Sequence, residues 1–260
     1  MDISGKTVIV TGAGRGVGRA LAIEFGRRGA NVVCAARHKD QLAETVTAIE
    51  AEGGAGLAVA TDVTDESRVQ AMVDAALERF GSVDVLFNNA GSFACLGGIW
   101  EVDPDVWWQD VTVNLLGVML CSRAVLPHMM ERNSGVIFNM NGGNQIAGGT
   151  GYSCSKVAVM RLTELMAKEQ TMEGTNVLVL GMGPGFVRTE MTEIQISTDV
   201  GRKWLPSSRE AVEQGRDSPP EKCALTTMDI LEHLCPQMNG CHFGAGMDVK
   251  AWIAEHCPET

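Results

Sequence analysis

The sequence predicts an α/β fold: a doubly wound parallel sheet in a three-layer αβα sandwich. Three observations carry this. Short β-rich runs alternate with helical patterns from the N-terminus onward, the first strand runs directly into a glycine-rich turn that opens a helix, and no linker or internal repeat divides the 260 residues. The expectation is one domain over residues 1–260.

Thr7-Val8-Ile9-Val10 reads as a buried strand, followed by a helix from Gly16 to Arg28 with Ala20, Leu21, Ile23 and Phe25 among its apolar positions. Gly29 closes that helix and Asn31 to Ala35 is the next strand. A helix over Leu42–Glu52 ends at Gly53-Gly54, a strand covers Gly56–Thr61, and Asp65 opens a helix that runs to Phe80. Val83–Phe87 is the fourth strand. A long helix spans about Pro104 to Glu131, Val136–Met140 is a strand, Tyr152–Met172 a helix and Asn176–Leu180 a strand. Such alternation implies right-handed crossovers and a parallel sheet covered on both faces. The stretch from about Phe186 to Pro220 breaks the rhythm. It is polar, carries Pro206, Gly215, Pro219 and Pro220, and reads as an irregular substrate lid at about residues 186–220. A helix near Glu221–Leu234 and a short strand near Cys241–Gly244 complete the chain.

Composition narrows the function. Apolar residues make up 45% and charged residues 20%, and the net charge is −11, with a pI of about 4.9. So acidic a surface repels phosphate backbones, which argues against nucleic acid as a partner. The N-terminus shows no targeting pattern and no window reads as a membrane span, so a cytoplasmic location is expected. Eight scattered cysteines form no Cys-x-x-Cys pair and read as free thiols. Five histidines without a His-Glu-x-x-His arrangement make no metal site.

The chemistry begins at Thr11-Gly12-Ala13-Gly14-Arg15-Gly16-Val17-Gly18. Glycines here let the backbone turn tightly and approach a pyrophosphate, while the following helix presents free N–H groups and a positive dipole end to it. A strand–turn–helix context makes this a dinucleotide site. The second strand ends Cys34-Ala35-Ala36-Arg37. An acid there would hold the ribose diol of NAD(H). Arg37, with Arg15 from the turn, instead suits the 2′-phosphate of NADP(H), which is the favoured cofactor with NAD(H) as the alternative. Tyr152 and Lys156 are four apart and share a helix face, where an ammonium can lower a phenol pKa and ready it for proton transfer.

Four motifs in order make residues 5–190 resemble the short-chain dehydrogenase/reductase family, which has a Rossmann fold. They are Thr11-Gly-x-x-x-Gly-x-Gly18, Asn88-Asn89-Ala90-Gly91, Tyr152-Ser-Cys-Ser-Lys156, and Pro184-Gly185 followed by Val187 and Thr189. Asp62-Val63 after the third strand also matches. The resemblance implies an oxidoreductase that exchanges hydride between a nicotinamide and a small-molecule carbonyl or secondary alcohol. It implies that Asp62 contacts the adenine, that the Asn88 motif supports the sheet beside the cofactor, and that Pro184-Gly185 closes over the nicotinamide. Tyr152 is then the acid/base, Lys156 tunes it and holds the ribose, and Asn114 holds a proton-relay water. The resemblance also implies a homo-oligomer, a tetramer or a dimer, joined through the two long helices.

One family residue is missing. Matching Asn139 to the family's usual asparagine puts Gly142 where the family has a carbonyl-polarising serine. Losing one such donor costs a factor of about 10² to 10³ in rate. Either Asn141, Asn144 or a water supplies the donor, or the enzyme is slow, or the protein binds a dinucleotide without efficient turnover, as a sensor or partner-binding subunit. Asn141 is preferred as the nearest in sequence, and a serine at Gly142 is expected to restore or spare activity.

Overall fold

A computed structural model describes residues 1–143 and 145–257. Seven strands form one parallel sheet: β1 (Thr7–Thr11), β2 (Asn31–Ala36), β3 (Ala55–Ala60), β4 (Val85–Asn88), β5 (Gly135–Met140), β6 (Val177–Gly183) and β7 (His242–Gly244). Their order is β3-β2-β1-β4-β5-β6-β7. The connections therefore reverse direction between β1 and β4, which opens a crevice at the carboxyl ends of those two strands.

Alternation along each strand builds two cores. Val8, Val10, Val32, Cys34, Phe87 and Phe138 face one side, together with α1 (Gly16–Arg27) and α10 (Pro220–Glu232). Ile9, Val33, Leu86 and Ile137 face the other, packed by α3 (Glu66–Phe80), α5 (Gly117–Glu131) and α6 (Thr150–Met172). A sheet buried on both faces explains why its strands read as continuous apolar runs. The remaining helix of the first half is α2 (Lys39–Ala51).

The long helix is not uniform. It comprises α4 (Pro104–Val111), a π-helical turn over Thr112–Leu116, and α5. This 28-residue run is long and apolar enough to cross a membrane by length and composition, contrary to the sequence reading. In the fold it packs on α3, α6 and the sheet, and it buries Asp110 and Asn114 at its middle.

The segment expected to be irregular holds three short helices, α7 (Glu190–Ser197), α8 (Asp199–Trp204) and α9 (Pro206–Glu213). Each has eight residues or fewer, too short to show a periodic apolar stripe. Their starts are local: the Thr189 and Thr198 hydroxyls accept from Thr192 N–H and Gly201 N–H, and Pro206 opens α9. After β7 comes α11 (Val249–His256), which the sequence reading did not anticipate; Trp252 on it meets Phe243 edge to face at 5.2 Å. The expectation of free thiols throughout is also corrected. Cys235 and Cys257 are paired as a disulfide, because α11 brings together two cysteines 22 residues apart that no spacing rule connects.

Asp84 anchors the start of β4. Its carboxylate accepts from Thr7 N–H at 2.9 Å, Ser82 Oγ at 3.0 Å and Arg132 at 2.9 Å. Burial alone would raise its pKa, but the hydrogen bonds from Thr7, Arg132 and Ser82 outweigh it and hold the group below the usual carboxylate range. A depressed folded pKa gives stability that is present above the unfolded value of about 3.9 and is lost as pH falls through the folded one. Asp84→Ala is expected to cost about 3 kcal/mol in urea unfolding at neutral pH, with the difference from the parent shrinking below about pH 4. Equal midpoints at pH 7 would contradict this role.

Candidate active site

A single cleft of about 1460 Å³ runs along the carboxyl ends of the strands and gathers nearly all of the residues singled out in the sequence. The glycine turn forms one end. Gly12 and Gly16 have positive φ, 68° and 56°, which a side chain would strain. A Cβ on Gly18 would collide with Gly12 O and Asn89 Nδ2, so glycine is what lets α1 start against the turn. Asn89 Nδ2 donates to Thr11 O at 2.9 Å and Gly12 O at 3.3 Å, while Thr11 Oγ1 accepts from the N–H groups of Asn89 and Ala90, both at 3.0 Å. Gly14, Val17, Asn89, Ala90, Val63, Pro184, Gly185, Val187 and Thr189 all line the same cleft. Asp62 accepts from Thr64 N–H and Oγ1, at 3.0 and 2.7 Å. The backbone bond from Thr64 is the main cause of its lowered pKa, opposed by burial and assisted by Thr64 Oγ1 and Arg37.

The two arginines line the same cleft but have different charged neighbours. Arg37 lies beside Asp62, but Arg15 pairs with Glu190 at the start of α7. Both members of that pair are more than half exposed, so the pairing is weakly held.

The other end of the cleft holds Tyr152 and Lys156. Asn88 Nδ2 donates to Asn139 Oδ1 (2.9 Å) and Ser122 Oγ (3.1 Å), and Asn139 Nδ2 donates to Thr163 Oγ1 (2.9 Å), which ties β4 and β5 to α5 and α6. Asn114, in the π turn, accepts from Ser92 N–H and donates to Ser92 O, both at 2.8 Å, and also to Ser155 Oγ at 3.0 Å. A π turn displaces the usual helical carbonyl pairing and is frequent at functional sites. A Cβ on Gly91 would sit 3.2 Å from Asn114 Oδ1 and 3.8 Å from Lys156 Nζ, so this glycine leaves space between the two.

Lys156 is 3% exposed and donates to Met140 O at 3.0 Å; burial lowers its pKa to about 8. Its Nζ lies 5.6 Å from the centre of the Tyr152 ring. The Tyr152–Lys156 spacing predicts a lowered tyrosine pKa. The structure instead raises it to about 12, first by burial and then by the negative charge of Asp110. The ammonium lies over the ring and is engaged on a carbonyl, so it does not offset these effects.

The sequence reading missed the residue that creates this environment. Phe93 stacks on Tyr152 at 4.5 Å with the rings 14° apart. Asp110 fixes the loop that carries it, accepting from Ser92 Oγ, Ala94 N–H (2.9 Å) and Cys95 N–H (2.9 Å). The available signal was a lone aromatic two residues after the Asn88–Gly91 motif and an acid inside an apolar helix.

The structure also accounts for the missing serine. A Cβ on Gly142 would collide with the Tyr152 hydroxyl and stand 2.9 Å from its Cζ and 3.0 Å from Lys156 Cγ. The phenol occupies the space a side chain would need. Asn141 does not simply replace the hydroxyl. Its Nδ2 lies 3.1 Å from His242 Nδ1, and its Oδ1 is buried without a hydrogen-bond partner. Asn144 lies outside the described residues.

The sequence profile of the short chain dehydrogenases matches residues 6–199. This chain belongs to the short-chain dehydrogenase family. A short chain dehydrogenase of Pseudocercospora fijiensis is 33% identical over 268 residues, covering 98% of this chain and 84% of that protein. The 3-oxoacyl-[acyl-carrier-protein] reductase of Thermotoga maritima is 32% identical over 229 residues, covering 86% of this chain and 89% of that protein. Among solved structures, levodione reductase superposes with a TM-score of 0.84 at 25% identity, covering 93% of this chain and 96% of that one. The family is one of oxidoreductases that use nicotinamide dinucleotides. The glycine cradle at residues 12–18 and the space beside Lys156 fit such a cofactor.

Two tests follow from this geometry. Tyr152 is the chain's one tyrosine, so phenolate absorbance reports it alone. Its midpoint in the cofactor-free protein is expected near 12, and Phe93→Leu should lower it by about one unit by admitting water. A midpoint near the ordinary value of about 10 in the parent would remove the stacking argument. Gly142→Ser, in contrast to the sequence expectation, should displace the phenol, destabilise the fold by about 1–3 kcal/mol and lower turnover. Undiminished turnover with an unchanged melting temperature would show that the hydroxyl fits.

Proposed function

We propose that this protein is an NADP(H)-dependent oxidoreductase acting on a small-molecule carbonyl or the matching secondary alcohol. The observation that carries the reading is the convergence of the Tyr152 hydroxyl, Lys156 and the Gly91 gap at the end of a cleft whose other end is the glycine turn. A reduced nicotinamide, when bound, would supply the hydride. Tyr152 Oη donates the proton to the substrate oxygen in reduction and accepts it in oxidation. Lys156, held by Met140 O, keeps positive charge beside the phenol and faces the gap where a ribose would lie. Asn114 braces the Ser92 loop and, through its π turn, the chain beside Lys156. Arg37 is the residue suited to a 2′-phosphate. Arg15 joins it once the exposed pairing with Glu190 gives way.

A second reading, dinucleotide binding with little turnover, is favoured by one observation. The described residues that replace the serine are a glycine covered by the phenol and an asparagine engaged with His242. Steady-state NADPH oxidation against a panel of ketones separates the two readings. Turnover should be measurable, Tyr152→Phe should lower kcat by at least about 10²-fold, and Arg37→Ala should erase most of a preference for NADP(H) over NAD(H). Dinucleotide binding without any ketone-dependent oxidation would favour the second reading.

We also propose a homo-oligomer, supported by exposed Leu116, Met119, Val157 and Leu165 along the π turn, α5 and α6. Light scattering at micromolar concentration is expected to give a multiple of 27.7 kDa; a single-chain mass would rule this out.

A further inference from the structure

The half of the cleft beyond Tyr152 has a distinct chemistry. Its walls are Phe93, Leu96, Ile146 and Leu205, with Trp108 and Val200 at the mouth. Phe93 and Leu205 are buried, while Trp108 and Val200 are 60% and 43% exposed, so apolar lining residues stand both inside the cleft and at its surface. Among the described residues lining the cleft, the guanidinium and ammonium groups are Arg15, Arg37 and Lys156. Arg15 and Arg37 belong to the glycine-turn end, and Arg15 is paired with Glu190; Lys156 is buried against Met140 O. Among the charged residues that line the cleft, Asp105 lies one turn before Trp108, and Glu190 is taken up by Arg15. An anionic substrate would lose its hydration in the apolar half, find no cation there among the described lining residues and face the Asp105 carboxylate.

We infer that the substrate is an uncharged ketone bearing a ring, with the ring held between Phe93, Ile146 and Leu205 and its far edge at Trp108 and Val200, and that ketones carrying a carboxylate or phosphate are rejected. This rests on the reductase reading for the word substrate, but the binding chemistry stands apart from turnover. A flat ring suits walls in which Phe93 is already fixed by Tyr152 on one face.

The test uses a matched pair of probes, methyl para-acetylbenzoate and para-acetylbenzoate, which share the aryl ketone and differ in one charge. Binding is read by quenching of tryptophan fluorescence, with Trp108 at the mouth. Turnover is read by NADPH oxidation. The ester is expected to bind and to exceed the acid in kcat/KM by at least about 100-fold. Val200→Lys, at an exposed position, should narrow that gap by about tenfold or more, and Val200→Glu should not; retained dinucleotide binding checks that both variants are folded. Phe93→Ala should weaken ester binding. Equal or better use of the acid overturns the inference. So does an ester that neither quenches fluorescence nor supports turnover in a protein that binds the dinucleotide. If the ester binds, the acid does not, and neither is reduced, the binding inference holds and the reductase reading falls.

Discussion

The site depends on the tie between the first and fourth strands. Thr11 ends β1 and Asn89 follows β4, and each supplies the other with hydrogen bonds that neither strand end could make alone. At the point where strand order reverses, the sheet leaves backbone groups without ladder partners. Asn89 satisfies the carbonyls of Thr11 and Gly12, and the Thr11 hydroxyl accepts two N–H groups in return. Gly18 is drawn into the same contact, since only a residue without Cβ fits against Gly12 O and Asn89 Nδ2. The turn that would receive a pyrophosphate is thereby fixed to the loop that leads, through Gly91 and Ser92, to the proton-transfer groups. One set of polar contacts therefore sets the distance between the two ends of the cleft.

At the far end, space rather than charge is the governing constraint. Gly142 gives its volume to the Tyr152 hydroxyl, and Gly149 gives its own to Phe93, whose Cζ would stand 2.6 Å from an added Cβ. Phe93 then covers one face of the phenol. A side chain at Gly142 and a phenol in this position cannot coexist without one of them moving. The family's serine is therefore absent from a site whose other parts have closed around its place. This is a coherent packing solution, distinct from a simple deletion of one hydrogen-bond donor.

Much of this was legible in the sequence because it rests on local rules. Strand–helix alternation, the glycine turn and the Tyr152–Lys156 spacing follow from periods of 2 and 3.6 and from glycine's freedom at positive φ. The parts that were not legible depend on contacts between distant segments. Phe93 meets Tyr152 across 59 positions of chain, a separation read directly from their numbers. The Arg15–Glu190 pair, the engagement of Asn141 by His242 and the Cys235–Cys257 disulfide likewise join segments that no spacing pattern connects. The three short helices α7, α8 and α9 escaped notice because their starts are set locally, by the Thr189 and Thr198 hydroxyls and by Pro206, and none is long enough to declare a face.

The same contacts decide which way the proton-transfer pair is poised. A phenol whose pKa stands near 12 is fully protonated at neutral pH, and a lysine near 8 is mostly charged there. Before any ligand arrives, the site therefore holds a proton donor with an ammonium beside it. That is the starting state for reducing a carbonyl. Oxidising an alcohol needs the phenolate, and Phe93, the low polarity around it and the charge of Asp110 all oppose that form. Asp110 is the link between structure and chemistry here. It fixes the Ser92–Cys95 loop that carries Phe93 through three hydrogen bonds, and its own charge raises the tyrosine pKa further. A group that acts on the phenol both through packing and through space holds it in its protonated form by two routes that do not depend on the missing serine.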